Sequence, residues 1–250
     1  MSDPYFVTVA VIAVLIVGLS KAGLLGSLGM VGVPLLSLVM PARDAAGMML
    51  PVLLVMDAIA VWSYRREVDW SIIRIMLPGA ALGTLVGWAL WSVVSDAMVL
   101  LFVGIVTLLF ILDAILPLRK RLEGLPPSRP WGRIWGTFAG FTSFVSHTGG
   151  PPFQIYVLPQ RLAPAFYAGT AAYFFAIVNT SKLIPYYFLG QLNAANLTLS
   201  AMLAPVGVVG VIAGVFLVRR ISARHFYRIA YGLVFLLALK LIWDGATALL

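Results

Sequence analysis

Four ionisable residues stand in surroundings that make their charge expensive. Lys21, Asp57 and Lys182 interrupt stretches that are otherwise apolar, and His147 sits in the run Phe141-Thr-Ser-Phe-Val-Ser-His-Thr-Gly-Gly-Pro-Pro-Phe-Gln154. Charges at membrane depth are rare because burial is costly, and they face a cavity or a partner. An ion pair between Asp57 and one lysine accounts for two of these groups. The other lysine is then surplus, and a surplus cation at depth calls for an anionic ligand. Lys182 belongs to Asn179-Thr-Ser-Lys-Leu-Ile-Pro185, so Asn179 is a further polar candidate beside it. Lys240 carries less weight, because Asp244 four residues on can pair with it on one helix face. His147 has two open roles: a proton-coupling group, since imidazole titrates near physiological pH, or a neutral hydrogen-bond donor that orients substrate.

The backbone adds to this chemistry. A helix that begins in mid-membrane presents unsatisfied N–H groups and a partial positive charge to whatever lies before it. Pro151 and Pro152 suit the first turn of such a helix, where no N–H is required. Gly149 and Gly150 permit close approach of a ligand to the backbone. Ser143, Ser146, His147, Thr148 and Gln154 would add side-chain donors. The Gly29-Met-Val-Gly-Val-Pro34 run offers the same device with Ser20, Lys21 and Ser27 nearby. Packing or bending alone is the plainer explanation of such glycines and prolines.

The elements that hold these residues must be membrane helices. Of 250 residues, 62% are hydrophobic and 10% charged, and the mean hydropathy is +1.02. Soluble domains carry about 25% charged residues, so a water-soluble fold is excluded. Cysteine is absent, which removes disulfides and thiol chemistry. With two histidines and two glutamates (Glu67, Glu123) there is little material for a metal centre. The N-terminus lacks the basic region of a cleavable signal peptide, so the first hydrophobic stretch is expected to stay. Apolar segments long enough to span run over 44–64, 75–92, 98–117, 164–189, 197–218 and 229–249; crossing the hydrocarbon takes about 20 residues. Two more stretches, 5–40 and 134–160, are apolar but punctuated by glycine and proline, and are expected to be pairs of short helices. The first could equally be two thin spans.

Basic residues cluster at Arg65, Arg66 and Arg74, at 119–133, and at Arg219, Arg220, Arg224 and Arg228. No soluble domain accompanies them, so they read as cytoplasmic loops and not as a nucleic-acid surface. The chain also repeats. Gly18, Gly47, Asp57 and Tyr64 map onto Gly140, Gly169, Asn179 and Tyr186 at one offset, and Pro78, Gly83 and Gly87 onto Pro205, Gly210 and Gly214 at a slightly larger one. Residues 1–118 form the first repeat, 119–133 a basic cytoplasmic linker, and 134–250 the second. The loop after Tyr64 is basic whereas its counterpart at Gly190–Asn193 is uncharged, and the loop at Ser95-Asp96 lacks the arginines of its counterpart at 219–228. Equivalent loops then face opposite sides, which makes the repeat inverted. Parity requires 134–160 to enter and leave on one side, as a re-entrant hairpin with its tip at His147–Pro152. Gly79, Gly83, Gly87, Gly207, Gly210 and Gly214 read as close helix packing. Trp62, Trp70, Trp88, Trp91 and Trp131 read as interface anchors.

Through Gly23–Pro34, Ser146-His-Thr-Gly-Gly-Pro-Pro152, Gly169-Thr170 and Asn179, the chain resembles the TauE/SafE family, also called 4-toluene sulfonate uptake permeases. The likeness covers nearly the whole chain and implies two homologous halves that move sulfite, sulfonates or related organic anions. The first glycine patch is looser here than the family's usual dense run.

The expected molecule is an all-α polytopic protein of the cell membrane, with about eight segments, some of them discontinuous or re-entrant. Its expected work is secondary transport of a small anion, by alternating access around Lys21, Ser27, His147, Thr148, Gly149, Gly150, Gln154, Asn179 and Lys182. Asp57 and His147 are candidates for coupling to a proton or sodium gradient. A passive anion channel is the alternative. Neither an enzyme nor an ATP-driven pump finds its motifs here, and no cofactor or metal is implied. The partners are the anion and the bilayer, with room for a homodimer.

Overall fold

The computed structural model describes residues 4–21, 26–116, 128–217, 235–236 and 238–250, and every regular element among them is helical. In order they are α1 (Pro4–Lys21), a 3-10 turn Gly26–Val31 that runs directly into α2 (Gly32–Leu36), α3 (Ala42–Ser63), α4 (Trp70–Leu90), α5 (Asp96–Ile115), α6 (Arg129–Ser146), α7 (Gly150–Val157), α8 (Pro164–Ser181), α9 (Leu183–Phe188) and α10 (Ala194–Leu217). Helix starts obey local chemistry: Asp69 caps α4 by accepting from the N–H groups of Ser71 and Ile72 at 2.9 and 3.3 Å. Ser95 caps α5 through the N–H of Met98 at 3.2 Å. Among the described residues, four helices are long and apolar enough to cross a membrane: Pro4–Lys21, Ala42–Ser63, Trp70–Leu90 and Ala194–Gly214.

Several sequence expectations change in detail. The punctuated stretches do not open with short helices, because α1 and α6 have 18 residues each. The short elements come second in each stretch: α7, with 8 residues, rises only about 12 Å. Gly29 and Gly32 lie inside the helical run that starts at Gly26, so Gly29–Pro34 is not itself an N-terminus. The expected span 164–189 is interrupted at Lys182, where α8 ends and α9 begins. Pro185 is the reason: it has no N–H to offer the carbonyl of Ser181 four residues back. Arg129 and Arg133, placed in the linker, are already helical. The rest of the linker up to residue 127, the arginines at 219–228, Gly23, and most of the start of the last expected span lie outside the described residues. Residues 238–247 are helical, and there Lys240 pairs with Asp244 at 2.7 Å as expected. Trp91 is buried and not an anchor. Its ring packs edge-on against Phe144, and the Arg43 guanidinium lies 5.1 Å from its centroid.

Packing is closest where α4 meets α6 and where α1 meets α10. Both seams depend on glycine. A Cβ on Gly140 would lie 2.1 Å from the Ala80 carbonyl oxygen, and one on Gly18 would lie 2.8 Å from that of Gly207. A Cβ on Gly83 would meet the Thr137 carbonyl, and one on Gly210 that of Leu15. These are the glycines that the spacing in the sequence pairs, Gly18 with Gly140 and Gly83 with Gly210. Small residues let helix backbones approach this closely in lipid, where no hydrophobic force draws helices together. Helices α3 and α8 pack against each other, which brings Asp57 and Asn179 together.

Candidate functional site

α6 ends at His147, which holds a left-handed backbone with φ 56°. Few non-glycine residues do so, and here the turn has a use. The His147 and Thr148 N–H groups bond back to Ser143 and Thr142 carbonyls at 3.1 and 3.2 Å, closing the last turn. The imidazole then reaches two other helices. Nε2 lies 3.0 Å from the Ala46 carbonyl oxygen on α3, and Nδ1 lies 2.8 Å from the Lys182 Nζ. A carbonyl only accepts and an ammonium only donates, so Nε2 carries the hydrogen, Nδ1 receives one from Lys182, and the ring is neutral.

Lys182 is fully buried at the α8–α9 interruption. Its Nζ donates to the Ser143 carbonyl oxygen at 2.9 Å, to Ser143 Oγ at 3.0 Å and to His147 Nδ1. An ammonium has three hydrogens, and these three neutral acceptors use them all. Among the described residues no carboxylate pairs with it.

Lys21, at the end of α1, forms an ion pair with Asp57 Oδ1. The other carboxylate oxygen accepts from Asn179 Nδ2 at 2.6 Å. The Lys21 Nζ also lies 5.7 Å from the centroid of the Phe175 ring, within range of a cation–π contact. Two lysines and one aspartate are thus gathered here, and the carboxylate pairs with only one of the lysines.

Beside these groups is a cavity of about 110 Å³ lined by residues of both interrupted segments. Its polar wall holds Ser20, Lys21, Ser143, His147, Gln154 and Asn179, and Gly29, Gly32 and Gly150 contribute backbone. Phe153, Tyr167, Phe175, Met49 and Leu53 form an apolar side.

Of the residues singled out by sequence, Ser20, Lys21, Gly29, Ser143, His147, Gly150, Gln154 and Asn179 line this cavity. Asp57 and Lys182 do not, and instead bond to residues that do. Thr148 is buried behind, its hydroxyl 2.9 Å from Ser146 Oγ and 3.3 Å from the Thr142 carbonyl oxygen. Gly149 serves packing, since a Cβ there would lie 2.7 Å from the Ala139 carbonyl oxygen. Ser27 lies on the 3-10 turn, with its side chain outside the described part of the structure. The apolar wall escapes a reading of the sequence by polar residues alone. On α8 it is legible as Ala168, Ala171, Ala172, Phe175 and Asn179, the three- and four-residue spacing of a single helix face.

A sequence model described as sulfite exporter TauE/SafE matches residues 10–241. No curated protein and no solved structure matches the chain. The family match runs through both interrupted segments and the helices that carry Lys21, Asp57, Asn179 and Lys182. An integral membrane protein of apolar helices with a cation-bearing internal cavity is consistent with it, and the chain belongs to the sulfite exporter TauE/SafE family of membrane transporters.

Proposed function

We propose that the protein is a secondary transporter of a small anion, a sulfite, sulfonate or related organic anion, across the cell membrane. The observation that carries this reading is the surplus lysine: half-buried Lys21 at an internal cavity, with fully buried Lys182 and a single aspartate directly behind its wall. A bound monoanion would neutralise what the protein leaves uncompensated, and uncompensated buried charge is costly. The α7 N-terminus adds partial positive charge at Gly150.

The two repeats are inverted halves, and alternating access rocks them about the contact between α3 and α8. The matching glycine seams support this, as does the contrast in charge between equivalent loops. Gly26–Leu36 and α7 are the re-entrant arms of the two halves, giving about eight membrane segments. Asp57 is the coupling group, because neutralising its carboxylate with a proton would release Lys21 to the anion. His147, with both ring nitrogens engaged, holds Lys182 in place and does not carry the proton.

Uptake by proteoliposomes tests the proposal. Labelled sulfite or methanesulfonate should accumulate under an imposed proton gradient and exchange against unlabelled substrate inside. Flux that ignores the gradient and shows no exchange would instead identify a passive channel.

A further inference from the structure

We infer that the Ser143 hydroxyl is a direct donor to the transported anion, and that Lys182 acts through it as a positioning residue. This rests on the anion-transport reading. Ser143 lines the cavity yet is only 2% exposed. Its Oγ accepts a hydrogen from Lys182 at 3.0 Å. A hydroxyl has one hydrogen of its own to donate, and among the described residues that hydrogen has no acceptor. The Ser143 carbonyl is engaged separately, by Lys182 and by the His147 N–H. A buried hydroxyl oriented by an ammonium, with its hydrogen unspent at a cavity wall, is arranged to meet an acceptor that the protein does not supply.

The repeat explains why the donor sits there. Ser143 is the counterpart of Lys21 at the same spacing that relates Asp57 to Asn179. A cavity between related halves places equivalent positions on opposite flanks of one ligand. On one flank the protein presents a lysine directly. On the other it presents a serine hydroxyl polarised by Lys182, which is held behind with its hydrogens committed. Lys21 has donated one hydrogen, to Asp57, and lines the same cavity. A ligand with two or more acceptor oxygens on one head, a sulfonate or sulfite, can take a hydrogen bond from each flank.

Isothermal titration of the purified full chain with sulfite and with methanesulfonate tests this, with thermal midpoints recorded for each variant. Ser143→Ala should weaken both anions about tenfold to a hundredfold, the loss of one hydrogen bond to a charged group, while Ser143→Thr keeps most of the affinity. Lys182→Ala should also weaken binding, and the double variant Ser143→Lys/Lys182→Ala, which moves the ammonium to the cavity wall, should recover it. Recovery by relocation is not expected of a merely structural lysine. Unchanged affinity in Ser143→Ala overturns the inference, as does a double variant no tighter than Lys182→Ala. Should Lys182→Ala prove too unstable to purify, the Ser143→Ala titration decides alone. Wild-type protein that binds neither anion sinks the transport reading itself, whereas wild-type binding with an unaffected Ser143→Ala sinks only this assignment.

Discussion

Asp57 Oδ2 accepts a hydrogen bond from Asn179 Nδ2 at 2.6 Å across 122 residues of chain. The two are the residues that the repeat in the sequence pairs at one constant offset. The pair is chemically unequal. Asp57 has a charge, so it holds Lys21 as well, while Asn179 has none and leaves Lys182 to neutral partners. The asymmetry of charge therefore begins where α3 meets α8.

The Lys21–Asp57 pair should show this in stability. Lys21→Met leaves a carboxylate that is 2% exposed without its counter-ion, and breaking a buried pair from one side costs about 3–5 kcal/mol. Lys21→Met/Asp57→Asn removes the stranded charge and keeps an amide for Asn179 to bond. Thermal unfolding in detergent should show a large fall for the single variant and recovery of most of it in the double, with anion uptake absent from both. A double variant as unstable as the single would mean the pair is not the relevant interaction.

Lys182→Met should have the opposite balance. The ammonium has no carboxylate partner among the described residues, so removing it relieves a buried charge while orphaning only Ser143 Oγ and His147 Nδ1, since the Ser143 carbonyl keeps the His147 N–H. The thermal midpoint should move little, and uptake of labelled anion by proteoliposomes should fall at least about tenfold, the effect of roughly 1.4 kcal/mol of lost binding. Wild-type transport rates would remove Lys182 from the site.

The glycine seams make a graded prediction. Gly140→Ala would place a methyl 2.1 Å from the Ala80 carbonyl oxygen, and Gly18→Ala would place one 2.8 Å from that of Gly207. Both exceed what rigid backbone absorbs, and overpacking costs typically about 1–3 kcal/mol. Gly140→Ala should be the more destabilising of the two in thermal unfolding, because its clash is closer. Equal or reversed effects would mean the seams relax differently from what their geometry requires.

The legibility of this chain divides along physical lines. That Lys21, Asp57 and Lys182 need polar company is readable because a lysine or aspartate among apolar residues has few explanations. Which lysine pairs with Asp57 is not, since that depends on where helix ends fall in space. The break at Lys182 is implicit in Pro185, whose missing N–H is a local fact, yet the hydropathy of 164–189 masks it. His147 stands out by its type, but its neutral, doubly bonded state depends on the Ala46 carbonyl, a backbone group that no motif encodes. Trp91 misleads for a similar reason: a tryptophan near a helix end reads as interfacial unless its tertiary neighbours, Phe144 and Arg43, are known.

The inverted arrangement has a direct test, made simple by the absence of cysteine. Any introduced cysteine is then the sole thiol. Arg66 and Asn193, in equivalent loops of the two repeats, are both exposed. Positive charge retains the first loop on the cytoplasmic side, and the uncharged counterpart belongs on the other. In intact cells a membrane-impermeant maleimide should therefore label Asn193→Cys and not Arg66→Cys, and permeabilisation should expose the latter. Ser95→Cys, in an exposed loop without basic residues, should label like Asn193→Cys. Labelling of Arg66→Cys and Asn193→Cys from the same side would place equivalent loops together, and the halves would then be related by a parallel, not an inverted, repeat.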